Sequence, residues 1–320
     1  QLYWDRANDW IFTQRKFKYT NPEEGTIMDG ERMDFNRNST FFNANKTYGS
    51  MSIKEKKIEN EINWNSKMNW KVSPESRPTV IVPNDTLHST FQLIQKGGFY
   101  PLPTISFVYP FGRDKRYEYE KPVFVHKKIN SERVEKAPVI DGKLDKKEWT
   151  STVTVSNFGN FDGNKAKIDE TKVYFSHDSE NLYIGARCSE NEIDNLKAEL
   201  TNRDDPVYQD DCIGFLISPY GNYVYHIYIN AIATIWDQKV DVEDGKQDES
   251  WNANCEVKCS ENEDSWVMEM KVPLSDIGIT DKTCEIRMNI RRKQHRNRKS
   301  GVWMIDWAYD PSRYGTVILR

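Results

Sequence analysis

Cysteine, histidine and long apolar runs are what this chain has least of. Its five cysteines (Cys188, Cys212, Cys255, Cys259, Cys284) all fall in the C-terminal half, and none stands in a CxxC pair. An odd number without that spacing argues against a zinc site or a dense disulfide framework. Cys255 and Cys259 are four apart, about 13 Å along a strand, too far to bridge without a bend. Cys188 and Cys212 fall in neighbouring predicted strands and are the pair open to bridging, against a default of buried free thiols. No stretch of about 18 apolar residues exists, so no transmembrane helix is predicted. A net charge of -4 lacks the basic excess of a nucleic-acid binder. The chain also has no nucleophile elbow, P-loop, dinucleotide fingerprint or HExxH. A glycosidase needs two positioned carboxylates, and among 49 Asp and Glu residues the sequence singles out no pair.

Aromatic side chains are abundant instead: 10 Trp and 16 Tyr against 8 Met. In β-rich proteins such residues are large core pieces; exposed, they are platforms for flat, partly apolar ligands such as sugar rings. At 320 residues the chain has room for two domains.

The stretch Tyr208–Asp237 organises the reading. Tyr208-Gln209-Asp210-Asp211 leads into the apolar run Cys212–Ser218, which breaks at Pro219-Tyr220-Gly221-Asn222 and resumes over Tyr223–Asn230, the signature of a hairpin. Further short strands are predicted over 172–177, 182–188, 265–272, 284–290 and 315–319. Many short strands with turns between them imply an antiparallel sandwich. Asp141-Gly142 marks a tight turn. Asp145 caps a helical turn that places Leu144 and Trp149 on one side as an end plug.

Upstream, an amphipathic helix is predicted over Tyr3–Lys16, and alternating segments near 62–65, 68–72, 78–83 and 104–110 read as strands. The charged stretch Glu118–Lys136 reads as a linker with a boundary near 130–137. The expected fold is therefore mainly β: a β-rich N-terminal module over 1–130, possible also as the tail of a larger domain, and an antiparallel, jelly-roll-like sandwich over 138–320.

Several motifs in this second region occur in a recognisable order. They are Ile140-Asp141-Gly142-Lys143-Leu144-Asp145 with Trp149, Asn181-Leu182-Tyr183-Ile184-Gly185, and Tyr208-Gln209-Asp210-Asp211-Cys212. Next come Ile229-Asn230-Ala231 with Thr234 and Trp236-Asp237, then Trp266-Val267-Met268-Glu269 with Val272-Pro273. Arg287-Met288-Asn289 and Pro311-Ser312-Arg313-Tyr314-Gly315 close the series. In this order the region resembles the carbohydrate-binding module family 9-like domains of bacterial secreted proteins. The resemblance implies a sandwich gripping a sugar, often a chain end, between aromatic rings. It places Tyr208 at one wall, Trp303 or Trp307 at the other, and His226 and Asn289 among the polar contacts. Gly214 stands where many members carry Glu, so a carboxylate is missing near the cleft.

The candidate ligand-binding residues are thus Tyr208, Asp210, Asp211, His226, Asn230, Asn289, Trp303 and Trp307. Calcium is a weaker candidate, with Asp204, Asp205, Asp241 and Asp244 as carboxylates, although such clusters are usually solvated loops. His226 with Met268 or Met288 is a remote haem alternative. The basic run Arg291–Lys299 reads as an exposed hairpin, or as a contact for an anionic glycan if it borders the cleft. Three functions follow as expectations. The first is non-catalytic glycan binding by an exported, extracellular or cell-surface bacterial protein. The second is a targeting module joined to the tail of a polysaccharide-active hydrolase. The third is a cell-surface assembly protein that contacts other surface proteins and carries a vestigial cleft.

Overall fold

The computed structural model describes the backbone of residues 3–319 except 6–9, 22–25, 37–41, 45–47, 52–57, 66–67, 82–87, 112–114, 150–152 and 306–309. Side chains are described from residue 61 onward, outside those ranges and positions 81, 109–111, 115 and 117. The chain divides into two compact units. One comprises 1–66, 71–94 and 105–120, the other 67–70, 95–104 and 121–320.

The larger unit is the sandwich. Its strands are β1 (Lys128–Arg133), β2 (Val153–Val155), β3 (Thr171–His177), β4 (Asn181–Ser189), β5 (Cys212–Ser218), β6 (Tyr223–Asn230) and β7 (Ile235–Asp241). They continue as β8 (Gln247–Asp248), β9 (Glu256–Glu261), β10 (Ser265–Pro273), β11 (Glu285–Gln294), β12 (Lys299–Val302) and β13 (Gly315–Leu319). Hydrogen bonding links them in the order β8-β7-β6-β5-β11-β13-β1-β3-β4-β10-β9, with β2 added to β3 and β12 to β11.

Among the described strands of this unit only β1 runs parallel to its neighbours. Lys128–Ser131 register with Thr316–Leu319 of β13, whereas Glu132 and Arg133 register with Ser176 and His177 of β3. One strand thus leaves the first sheet and joins the second, which is how sandwiches turn a corner. The boundary predicted at 130–137 therefore falls partly on a paired strand. Lys-Ile-Asn-Ser-Glu-Arg looks like linker because its hydrophobicity is low, yet Ser131 is fully buried.

The pleat sends alternate residues to opposite faces. Ile213, Phe215 and Ile217 of β5, Ile227 and Ile229 of β6, and Met288 and Ile290 of β11 face inward. They meet Phe175, Ile184, Ala186, Trp266, Met268 and Met270 of the second sheet in one buried core. Their sequence neighbours on β5, β6 and β11 face away from that core.

One carboxylate explains the Ile-Asp-Gly-Lys-Leu-Asp motif. Glu269, fully buried on β10, accepts the backbone N–H of Asp141, Gly142 and Leu144 and the Nε1–H of Trp149, at 2.6–3.1 Å. Asp145 caps the turn Lys146–Trp149 through Lys147 N–H, as predicted. Leu144 and Trp149 then seal β4 at Gly185, where an added Cβ would lie 2.5 Å from Leu144 Cδ2. The five cysteines are free thiols. Cys188 on β4 and Cys212 on β5 belong to strands that do not pair, so the predicted adjacency is wrong.

The smaller unit is also β. One sheet contains Tyr3–Asp5, Trp10–Asn21, Thr26–Asn36, Phe42–Ala44 and Tyr48–Met51; another orders Lys115–Pro122, Thr104–Phe111, Ile58–Asn65 and Ser76–Ile81. Where a helix is predicted over Tyr3–Lys16, the described residues are strand instead, over Tyr3–Asp5 and from Trp10 onward. Trp10-Ile11-Phe12-Thr13 is an aromatic and β-branched run, and Phe17 and Tyr19 alternate with Lys16, Lys18 and Thr20, so the two-residue period prevails.

Candidate functional site

The outward faces of β7, β6, β5 and β11 carry two aligned rows of side chains. Cross-strand register places Trp236, Tyr228, Gly214, Arg291 and Val302 in one row. Gln238, His226, Leu216 and Asn289 form the next. Apart from Gly214, all of these line a cavity of about 290 Å³, together with Tyr208, Phe161, Lys293, Gln247 and Glu249. That volume is near the small end of ligand pockets, about 300–1,000 Å³.

Aromatic rings give the cavity its shape. Trp236 meets Tyr208 edge-on at 5.3 Å and Tyr228 at 5.7 Å, with His226 behind them at 6.4–6.5 Å. Tyr208 and Phe161 remain well exposed at the rim, at 38% and 42%. Gly214 permits this layout. An added Cβ would lie 2.4–2.6 Å from three carbons of the Tyr228 ring, so that ring lies where any larger residue would stand. The carboxylate that the resemblance leads one to expect at this position is replaced by a tyrosine face.

Polar groups form the floor. His226 is buried, and burial lowers its pKa to about 3, so the imidazole is neutral at physiological pH. Gln238 is 2% exposed and points its Nε2 at His226 Nδ1, 3.4 Å away. Among the described residues its Oε1 has no hydrogen-bond partner. A buried carbonyl oxygen without a donor is costly to leave unmet, and Gln238 is one of the residues that line the cavity.

The pleat divides the basic run. Arg291 and Lys293 face the cavity. Arg292 points inward beneath them, 1% exposed, 3.5 Å from Asp211 and 5.1 Å from the Trp266 ring. Arg296 is tied to Asp169 at 2.6 Å and to Glu190 and Glu192. The predicted exposed hairpin is thus half structural, and its other half borders the cleft.

Of the predicted site residues, Tyr208, His226 and Asn289 line the cavity. The Asn289 amide, however, is engaged with the backbone of Met304 at both ends. Asp210 and Asp211 are buried beneath the cleft rather than in it. Asp210 Oδ2 accepts from Glu199 N, Leu200 N and Asn230 Nδ2. Asp211 accepts from Lys197 N and His295 N. Asn230 closes the turn to β7 by accepting from Thr234 N. These three assignments are corrected: the acidic motif ties loops to the sheet, and its burial was invisible in the sequence. Trp303 is likewise buried, packed against Gly315 and outside this cavity. Trp307 lies outside the described residues.

The calcium candidates also serve turns. Asp205 accepts from Asn202, Asp241 from Glu243 N and Asp244 from Lys246 N, while Asp204 N donates to the Ile235 carbonyl. Among the described residues no group of three His, Cys, Asp or Glu side chains is arranged to hold a metal. The haem pairing fails because His226 faces away from the core that contains Met268 and Met288.

Sequence reasoning missed Trp236, Tyr228, Gln238 and Phe161 as cleft residues. The available signal was the hairpin register: once His226 faces outward, Tyr228 and the residues opposite both must do so too.

The model of the family described as carbohydrate family 9 binding domain-like matches residues 140–320. The chain belongs to this family. Its family 9-like region contains the whole outward row of cavity residues. Among solved structures, a Bacteroides uniformis protein assigned as carbohydrate-binding aligns with a TM-score of 0.50 at 14% identity, covering 61% of this chain and all of that one. A family 9 carbohydrate-binding module from Caldicellulosiruptor kristjanssonii is also similar. In complex with cellotriose it gives a TM-score of 0.40 at 15% identity, covering 61% of this chain and 94% of that one. In complex with glucose it gives 0.42 at 16% identity, covering 61% and 96%. No curated protein matches the chain.

Proposed function

We propose that the family 9-like sandwich binds a sugar ring of a glycan, without catalysis, in the cleft bounded by Tyr208, Tyr228 and Trp236, as part of a secreted or cell-surface protein. The carrying observation is the combination of these edge-to-face rings with a polar floor of His226 and Gln238, whose Oε1 has no hydrogen-bond partner among the described residues. A pyranose presents C–H groups on one face and hydroxyls around its rim, so stacking and a buried acceptor recognise it together. Arg291 and Lys293 on one wall support an anionic glycan as the finer form of this reading. Among the described residues no helix is long and apolar enough to cross a membrane.

Glycan-array binding followed by calorimetry tests the proposal. Trp236→Ala and Tyr208→Ala are expected to lower affinity for the best array ligand at least about tenfold each, since each removes a stacking face. Retained binding in both variants removes the proposed site.

A further inference from the structure

Lys293 is placed in an unusual way for a surface cation. Its Nζ donates to the Tyr208 carbonyl and lies 5.8 Å from the centre of the Tyr208 ring, at the aromatic wall of the cleft. Burial and the neighbouring Arg291 both push its pKa down, the signature of an ammonium partly removed from water next to another positive charge. Among the described residues no carboxylate comes within ion-pair distance of it. A half-buried cation with no carboxylate beside it among the described residues is stabilised by a ligand that brings the anion.

Among the described residues, the other charged groups on the cavity lining do not supply one. Arg291 is positive and His226 is neutral. Among the described residues Glu249 is the one carboxylate in the lining, and it is exposed on the segment after β8, where water screens it. From below, Cys212 contributes only a buried thiol whose pKa is pushed up to about 12, and so stays neutral.

We propose that Lys293 sets the charge specificity of this cleft, with Arg291 beside it, so that the preferred ligand is an acidic sugar whose carboxylate docks at Lys293 while its ring lies against Tyr208 and Trp236. This rests on the cleft being the glycan site. A carboxylate accepts charge-assisted hydrogen bonds from the Lys293 ammonium, and its charge supplies the counter-ion that no described residue provides. Sulfate esters share this chemistry, so they form a separate arm of the test.

The experiment is calorimetric titration of the full chain with galacturonate and glucuronate, their neutral counterparts galactose and glucose, and galactose 6-sulfate, at low and physiological salt. The wild type is expected to prefer the acid of at least one matched pair about tenfold or more, with the preference shrinking at high salt. Lys293→Met is expected to abolish that preference, read as the ratio of acid to neutral affinity within each matched pair, and Lys293→Arg to restore it. If Lys293 only braces Tyr208, Lys293→Met weakens both classes equally, which overturns the proposal. Equal wild-type affinity for acid and neutral sugars also overturns it while leaving glycan binding intact. Tighter binding of the sulfate ester than of either uronate overturns the carboxylate assignment. Failure of every sugar here and on a glycan array removes the cleft reading itself.

Discussion

Replacing Gly214 by alanine tests the cleft through its least conspicuous residue. The new methyl carbon would lie 2.4 Å from Tyr228 Cε1, 2.5 Å from Cζ and 2.6 Å from Cδ1, far inside contact distance. Strand β5 cannot retreat, because Gly214 pairs with Tyr228 on one side and Arg291 on the other, and Ile213 and Phe215 are locked in the core. The tyrosine ring must lift, and the space above it is the cavity of about 290 Å³. Overpacking of this kind costs about 1–3 kcal/mol. The displaced ring also fills the slot facing Trp236, so glycan affinity should fall by at least about tenfold. Urea unfolding and calorimetry measure the two effects. The double variant Gly214→Ala/Tyr228→Ala separates them: with the ring gone, the methyl group is tolerated, and the two substitutions couple favourably by about 1 kcal/mol or more. Stability within about 0.5 kcal/mol of wild type and unchanged binding in Gly214→Ala would refute the account.

Two further outcomes concern the scaffold and the floor. Glu269→Gln replaces an oxygen facing buried N–H groups with an NH2, and should cost about 2–4 kcal/mol in urea unfolding; a loss below about 1 kcal/mol would show that the Asp141–Leu144 turn stands without it. His226 has a folded-state pKa depressed to about 3 against an ordinary value near 6.5. As pH falls below about 6.5 the unfolded chain takes up the proton first, so stability is lost progressively toward pH 3. His226→Gln should flatten that part of the stability profile, and an unchanged slope between pH 6 and pH 4 would remove the buried-imidazole assignment.

Much of the architecture was legible in the chain. Apolar alternation over Cys212–Ser218 and Tyr223–Asn230 fixes a hairpin, because a pleated strand with one buried face must repeat every second residue. The Asp-Gly turn and the Asp145 cap are local chemistry and were readable for the same reason. The helix expected over Tyr3–Lys16 failed because a few apolar residues fit either period until a partner strand exists. The strand Lys128–Arg133 was hidden because its stability comes from pairing with β13 and β3, not from its own composition.

The site divides along the same line. Sequence order alone pointed to Tyr208, His226 and the basic run. It could not separate Arg291 and Lys293, which face the cleft, from Arg292, which is buried against Asp211, because that depends on which face of β11 is covered. Nor could it show that Asp210 and Asp211 are loop anchors: a carboxylate looks the same whether it meets a sugar hydroxyl or a backbone N–H. The identities of the side chains were in the sequence throughout. Their division into core, anchor and cleft arises when four strands align in register, since only then do Trp236, Tyr228 and Gly214, far apart along the chain, become one surface.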